Sequence, residues 1–184
     1  MNKNLPEYIL TGLNFDKSRD KSGYEERVGK PDELSAVMGR ITMNFQYLEE
    51  RIDKIIIQNL LEIDEEIGTI ITAELSYKNK VNLFASLYYK FYKIKEYNFY
   101  KGYENEHFKL LVSALYKCEE LRNQILHSSI SKNWKTNEII RTKKTSKSKS
   151  GLKIDKQIVD IPYLFDVSDF MGQVEYILEE YFLQ

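Results

Sequence analysis

Apolar residues recur three and four positions apart in four long segments of the chain, which is the spacing of amphipathic α-helices. These segments cover residues 31–59, 76–94, 106–129 and 162–182. Asp32 and Ser76 stand at the start of the first two segments and are expected to act as N-caps. The acidic run at residues 62–66 and Gly68 are expected to end the first helix. Long helices with short connections predict a helical bundle.

The pattern changes between the third and fourth helices. Residues 138–142 and 153–160 are short β-branched runs, and they flank a stretch of Lys, Ser and Gly at residues 143–151. This arrangement predicts a β-hairpin over residues 138–160 with a long tip. The predicted fold is therefore mainly α, an up-and-down helical bundle of about four to five helices with a small β-hairpin inserted before the C-terminal helix.

The domain organisation follows from where the periodic pattern begins. Residues 1–30 show no sustained period and are expected to form an N-terminal arm. Residues 31–184 are expected to form a single helical domain that includes the hairpin, since this length suits one core.

Composition excludes several classes of function. The 184 residues carry 27 basic and 28 acidic side chains, so nucleic-acid binding would have to come from local patches. The lone Cys118 lies in the apolar stripe of the third helix and is expected in the core. No Cys/His cluster has metal-ligand spacing, so neither a metal nor another cofactor is expected. No signal peptide or membrane-spanning window is evident, which predicts a cytoplasmic protein, and the Lys-, Ile- and Asn-rich composition suggests an AT-rich bacterial gene.

Arg122 stands out because it falls near the middle of the apolar arc of the third helix. His127 follows five residues later, and Asn123 and Glu119 lie at the edge of the same arc. A cation in a core needs a partner, because an unpaired buried charge costs several kcal/mol. The convergence of these four side chains indicates a phosphate site.

An alternative interpretation treats the two main residues separately. Arg122 would then be a structural arginine paired with a carboxylate of another helix, for which Glu49, Glu50 and Asp53 are the candidates. His127 would be a histidine at a helix C-terminus, stabilised by the helix dipole.

The run Arg122-Asn123-Gln124-Ile125-Leu126-His127 contains an arginine, a polar residue directly after it, and a histidine five positions on. Placed late on a long helix of a helical bundle, it resembles the signature of the HEPN superfamily. The resemblance covers roughly residues 31–131. It implies a metal-independent endoribonuclease that acts as a homodimer, with the motif helices of two protomers forming one composite cleft.

The resemblance also implies roles for the individual residues. Arg122 would bind the scissile phosphate and stabilise charge in the transition state. His127 would be the general base or acid for attack of the ribose 2′-hydroxyl on that phosphate, leaving a 2′,3′-cyclic phosphate and a 5′-hydroxyl. Asn123 would orient either group or contact phosphate. Glu119 would hold the guanidinium or fix the imidazole tautomer.

The predicted hairpin is rich in positive charge. An RNA-binding role would involve five of its basic residues, namely Arg141, Lys143, Lys144, Lys147 and Lys149. Such a surface would bind phosphates in a salt-dependent manner beside the cleft. The alternative is a solvated hairpin tip without a binding role.

The sequence is therefore compatible with three functions. The first is an RNA-cleaving toxin or abortive-infection effector of antiviral defence, with an antitoxin or sensor protein as a possible partner; it requires both Arg122 and His127. The second is a non-catalytic helical module that binds a nucleotide, RNA or protein and requires only Arg122. The third is an antitoxin-like or immunity partner that binds through residues 1–30 and requires neither residue.

Overall fold

The structure is a computed structural model, and it describes residues 33–94, 105–133, 135–136, 138–147 and 151–183. Within them the α-helices are α1 (Glu33–Lys54), α2 (Glu65–Ala73), α3 (Tyr77–Ile94), α4 (Asn105–Leu126) and α5 (Ile161–Phe182), and α1 continues into a π-helix at Ile55–Leu61. The strands β1 (Ser129–Lys132), β2 (Ile139–Lys147) and β3 (Gly151–Val159) form an antiparallel sheet in the order β1-β2-β3. The mainly α prediction is confirmed.

Side-chain contacts define the relative directions of the long helices. Salt bridges Arg40–Asp169 and Arg51–Glu175 run in the same order along α1 and α5, so these two helices are parallel. Helix α4 runs the opposite way to α3, because Tyr77 at the start of α3 bonds the Leu115 carbonyl whereas Phe84 reaches Phe108 further up the helix.

Helix starts follow the capping rules. The Ser76 hydroxyl accepts the Asn79 N–H at 3.3 Å, which confirms that prediction. Asp160 caps α5 by accepting the Tyr163 N–H at 2.8 Å. The cap expected at Asp32, and the arm expected at residues 1–30, lie outside the described residues.

The core fills the space between α1, α3, α4 and α5. The part of the core near the C-terminus of α5 is aromatic. The ring of Tyr88 stacks on Phe108 with centroids 3.6 Å apart, and Phe84 packs edge to face on Phe182 with centroids 5.3 Å apart. Such pairs add to the stabilisation gained from area burial alone. Cys118 is buried in the same core, as expected.

Three local predictions were wrong. The third helix ends at Leu126 rather than at residue 129, because the chain then turns into strand β1, which pairs with β2. Strands β2 and β3 extend to Lys147 and Gly151, so the hairpin tip is shorter than predicted. Helix α2 is absent from the prediction, which assigns the acidic run and Gly68 only the role of ending the first helix.

Gly68 has a packing reason to be in a helix. A Cβ on Gly68 would lie 2.6 Å from the side chain of Ile57, so only glycine allows α2 to approach the π-helix this closely. The helix itself is capped by Asp64, which accepts the N–H groups of Glu66 and Ile67.

No helix in the described ranges has the length and apolar character that crossing a lipid bilayer demands.

Candidate functional site

Arg122 lies on the core-facing side of α4 and is half-buried. Its guanidinium carbon is 5.2 Å above the ring centroid of Phe45, a buried residue of α1. A cation over an aromatic face is electrostatically stabilised. Sequence reasoning did not assign Phe45 to the site, because its position in the apolar stripe of α1 marks it only as core.

The guanidinium lacks a carboxylate partner among the described residues. Its Nε atom is buried and has no hydrogen-bond partner in the part of the chain that the structure describes. Its NH1 donates to Asn123 Oδ1 at 3.0 Å and lies 3.1 Å from His127 Nε2. A desolvated donor with no acceptor costs free energy, which an incoming anion would recover.

The carboxylates that would neutralise a structural arginine are engaged elsewhere. Lys80, only 5% exposed, lies 3.0 Å from Glu49 and 2.6 Å from Asp53. Burial by itself lowers the pKa of Lys80, but hydrogen bonds to Asp53 and Glu49 outweigh it and raise the pKa above its usual value. The lysine therefore stays charged and occupies two of the three acids considered for Arg122.

The third of those acids, Glu50, is exposed and accepts a hydrogen bond from Gln46 at 3.3 Å. None of these three acids therefore forms the ion pair of the alternative interpretation, and no other carboxylate of the described ranges neutralises Arg122.

His127 follows the end of α4, and its side chain is exposed. Because a guanidinium only donates hydrogen bonds, the contact with NH1 requires a lone pair on Nε2. The tautomer that carries its proton on Nδ1 provides this lone pair. The basic nitrogen points toward the Arg122 guanidinium at the surface, where an anion bound to Arg122 would meet it.

The structure brings Asn123 to the site but does not bring Glu119. Asn123 accepts a hydrogen bond from Arg122, and its backbone carbonyl accepts the His127 N–H at 3.3 Å. Glu119 is half-buried one turn before Arg122, yet it forms no ion pair with that guanidinium. Its negative charge instead acts on the nearby Tyr77 hydroxyl, whose pKa is raised chiefly by burial.

Arg141 joins the sheet to the end of the motif helix. Only 8% exposed, it donates from NH1 to the Gln124 carbonyl at 3.2 Å and from NH2 to Gln157 Oε1 at 2.6 Å. The Gln124 carbonyl belongs to the last turn of α4, where backbone acceptors lack intrahelical partners. The Ser128 N–H, which could bond to Gln124 in a continuing helix, bonds to the Ile125 carbonyl. The Arg141 side chain from β2 therefore supplies a donor to the Gln124 carbonyl.

The guanidinium of Arg141 is thus bonded to internal partners, which favours a structural role over the predicted RNA-binding role. The sequence carried one signal of the difference: Arg141 directly follows two isoleucines at the base of the hairpin.

The remaining lysines of the hairpin lie on two different faces. Lys143 is on the same face as Arg141, half-buried and opposite Asp155 in the strand register. Lys144 is exposed on the other face, opposite Ile154. The side chain of Lys147 and all of Lys149 lie outside the described residues.

The site thus combines a cation, an imidazole whose Nε2 lies 3.1 Å from that cation, and an amide. This set can bind a phosphate and move a proton. Within the described ranges no group of three or more His, Cys, Asp or Glu side chains is placed to hold a metal ion.

Comparisons of the chain with protein-family models, with curated proteins and with solved structures give no match.

Proposed function

We propose that the chain is a metal-independent endoribonuclease of HEPN type, acting as a dimer with a composite cleft built from Arg122 and His127 of both protomers. One observation carries the proposal: a half-buried guanidinium without a carboxylate partner among the described residues lies 3.1 Å from the basic nitrogen of a histidine. Such a pair suits a phosphodiester, which supplies the missing negative charge beside a group that accepts a proton.

In the proposed reaction Arg122 turns its donors from His127 to the non-bridging oxygens of the scissile phosphate. This releases the lone pair of Nε2, which accepts the proton of the ribose 2′-hydroxyl. The bond between O2′ and phosphorus forms while the bond between phosphorus and O5′ breaks. The 5′ oxygen takes a proton from a general acid, for which His127 of the partner subunit is the candidate.

Arg122 contributes most in the transition state, where negative charge accumulates on the phosphoryl oxygens. Its planar guanidinium can donate two parallel hydrogen bonds to phosphate. The ring of Phe45 beneath it limits the orientations it can take, and Asn123 holds NH1 from the side. Removal of these supports would therefore lower the rate through Arg122.

Substrate binding is assigned to the face of the hairpin that carries Lys143. Arg141 on this face contacts the end of α4, so the face continues from the motif toward the tip. The half-buried Lys143 and the exposed Lys153 on this face would bind RNA phosphates by releasing counterions, which predicts weaker binding at high salt. A role as a toxin or antiviral effector, controlled by an antitoxin or sensor, is the biological setting that such an activity suits.

The test uses the two histidines of the chain. Wild type, His127→Ala and His107→Ala are compared for RNA cleavage in the presence of EDTA. His107 lies at the start of α4, about 30 Å along the helix from His127. We expect His127→Ala to lose at least about 100-fold in rate, the usual contribution of general acid–base catalysis, while His107→Ala retains wild-type rate. Equal cleavage by all three proteins would refute the assignment.

A non-catalytic phosphate-binding module is the second candidate, and the same unpaired guanidinium favours it. Titration with inorganic phosphate, followed by the Arg122 side-chain NMR signals, separates the two. Phosphate binding that persists in His127→Ala, without RNA cleavage by wild type, would favour the binding module.

A further inference from the structure

Helix α2 has its apolar residues on the outside. The side it turns to the protein carries Gly68 and Thr72, both buried, while Ile67, Ile70 and Ile71 are 56%, 63% and 45% exposed. A surface helix normally places its apolar side toward the core. We call these three isoleucines the α2 patch.

Negative charge surrounds the α2 patch. Residues 62–74 contain five carboxylates and no lysine or arginine; the acids are Glu62, Asp64, Glu65, Glu66 and Glu74. A partner for this surface therefore needs an apolar centre with positive charge around it.

Strand β3 shows the same inversion. Side chains alternate between the two faces of a strand, so Lys153, Asp155 and Gln157 lie on the face of buried Val159. The opposite face carries Leu152, Ile154 and Ile158, which are 63%, 50% and 68% exposed and which we call the β3 patch.

Positive charge accompanies the β3 patch. Lys156 lies on the same strand face, and Lys144 lies directly opposite Ile154 on β2. Asp155 is on the other face, opposite Lys143. The β3 patch is thus an apolar surface next to lysines. It complements the α2 patch, which is an apolar surface next to carboxylates.

Together the two patches contain every exposed leucine and isoleucine in the part of the chain that the structure describes. Contiguous exposed apolar surface marks interaction sites. The two patches lie toward opposite ends of α1. The α2 patch is near its C-terminal end, because α2 follows the π-helix that continues α1. The β3 patch is toward its N-terminal half, because β3 leads into α5, and the first half of α5 lies beside Arg40. Within one protomer they are therefore too far apart to cover each other.

We propose that a second copy of this chain covers both surfaces, the α2 patch of each protomer docking on the β3 patch of the other. Burial of the isoleucines and leucine supplies the association free energy, and the opposite charges fix the register. Two such contacts formed reciprocally are related by a twofold axis, which closes the assembly as a dimer. The dimer is that of the proposed function, and the proposal here concerns which surfaces supply its association free energy; these contacts form whether or not the chain cleaves RNA.

The test is capture between two differently tagged full-length copies, with RNA removed by nuclease treatment. Ile70→Asp damages the α2 patch and Ile154→Asp damages the β3 patch. Capture of either variant by itself should fall at least about tenfold, because both reciprocal contacts then contain a buried carboxylate. A mixture of the two variants should recover capture, since one intact α2 patch then meets one intact β3 patch. Raising the salt concentration should weaken capture by wild type.

Tyr176→Asp, a substitution at an exposed aromatic residue of α5 outside both patches, is the control and should capture like wild type. Circular dichroism and thermal melting establish that each variant is folded. Equal capture in all combinations would place the association free energy in other contacts, such as those between the two α4 helices, and would overturn the proposal. So would failure of the mixture to recover, or absence of capture between wild-type copies, which would point to another occupant.

Discussion

Replacement of Arg141 by methionine separates a structural role of this arginine from an RNA-binding role. Methionine retains most of the aliphatic length and removes the donors. The substitution leaves Gln157 Oε1 without its donor at 2.6 Å and takes one of two donors from the Gln124 carbonyl, which still accepts the Ser128 hydroxyl. The end of α4, from which His127 extends, would then be held less firmly.

The magnitude follows from these contacts. A hydrogen bond from a charged group contributes about 1.5–3 kcal/mol, and the bond to Gln157 is short and inside the protein. The bond to Gln124 adds less because its acceptor keeps another donor, and removing the cation also removes its desolvation cost. We therefore expect Arg141→Met to lower the free energy of unfolding by about 2–3 kcal/mol, which corresponds to a decrease in melting temperature of about 4–12 °C.

Urea unfolding followed by circular dichroism measures this loss, and Lys143→Met is the matched control. Lys143 lies two residues further along β2 on the same face, so its substitution should change stability by less than about 0.5 kcal/mol. RNA affinity should show the opposite order, with Lys143→Met weakening binding. If Arg141→Met were as stable as wild type but bound RNA poorly, the guanidinium would be an RNA ligand and the structural interpretation would be wrong.

Three further predictions concern the bundle. Gly68→Ala should destabilise the protein by about 1–3 kcal/mol in urea unfolding, because the added Cβ would lie 2.6 Å from Ile57; unchanged stability would contradict the packing account. Lys80→Met should lower the free energy of unfolding by about 2–3 kcal/mol, which is less than for a fully buried pair because the carboxylate partners of Lys80 are partly exposed. The control Lys117→Met should lower it by less than about 1 kcal/mol, since the pair of Lys117 with Glu120 lies at the surface. Burial raises the pKa of Tyr77 in the folded protein well above 10.0. The stability that the protonated hydroxyl contributes is therefore complete below pH 10 and falls as the pH rises above 10. Melting temperatures measured between about pH 9 and pH 11 should fall less steeply for Tyr77→Phe than for wild type.

Sequence periodicity predicted the four long helices because each buries one broad apolar stripe. It missed α2 for a physical reason: that helix buries Gly68 and Thr72 and exposes its isoleucines, so its pattern contradicts the rule. Strand β1 was also missed, since the run Ser129–Lys132 has little strand character of its own and is defined by pairing with β2. Tertiary contacts, rather than local propensity, determine both elements.

The candidate site was predictable in part. The spacing of Arg122 and His127 placed both side chains at one end of α4, and the structure brings their nitrogens to 3.1 Å. The sequence could not indicate which cation would take the carboxylates of α1, and Lys80 takes two of them. It also could not distinguish Arg141 from the lysines that follow, because burial at the base of a hairpin depends on what the strands pack against.

The central claim is that Arg122 and His127 cleave RNA through the ribose 2′-hydroxyl without a metal ion. The most direct test is to incubate a defined RNA with wild-type protein in EDTA and to identify the ends of the products. The account predicts 2′,3′-cyclic phosphate and 5′-hydroxyl ends, and no cleavage of the same oligonucleotide carrying 2′-deoxyribose. Products with 3′-hydroxyl and 5′-phosphate ends, or cleavage of the deoxy substrate, would contradict it.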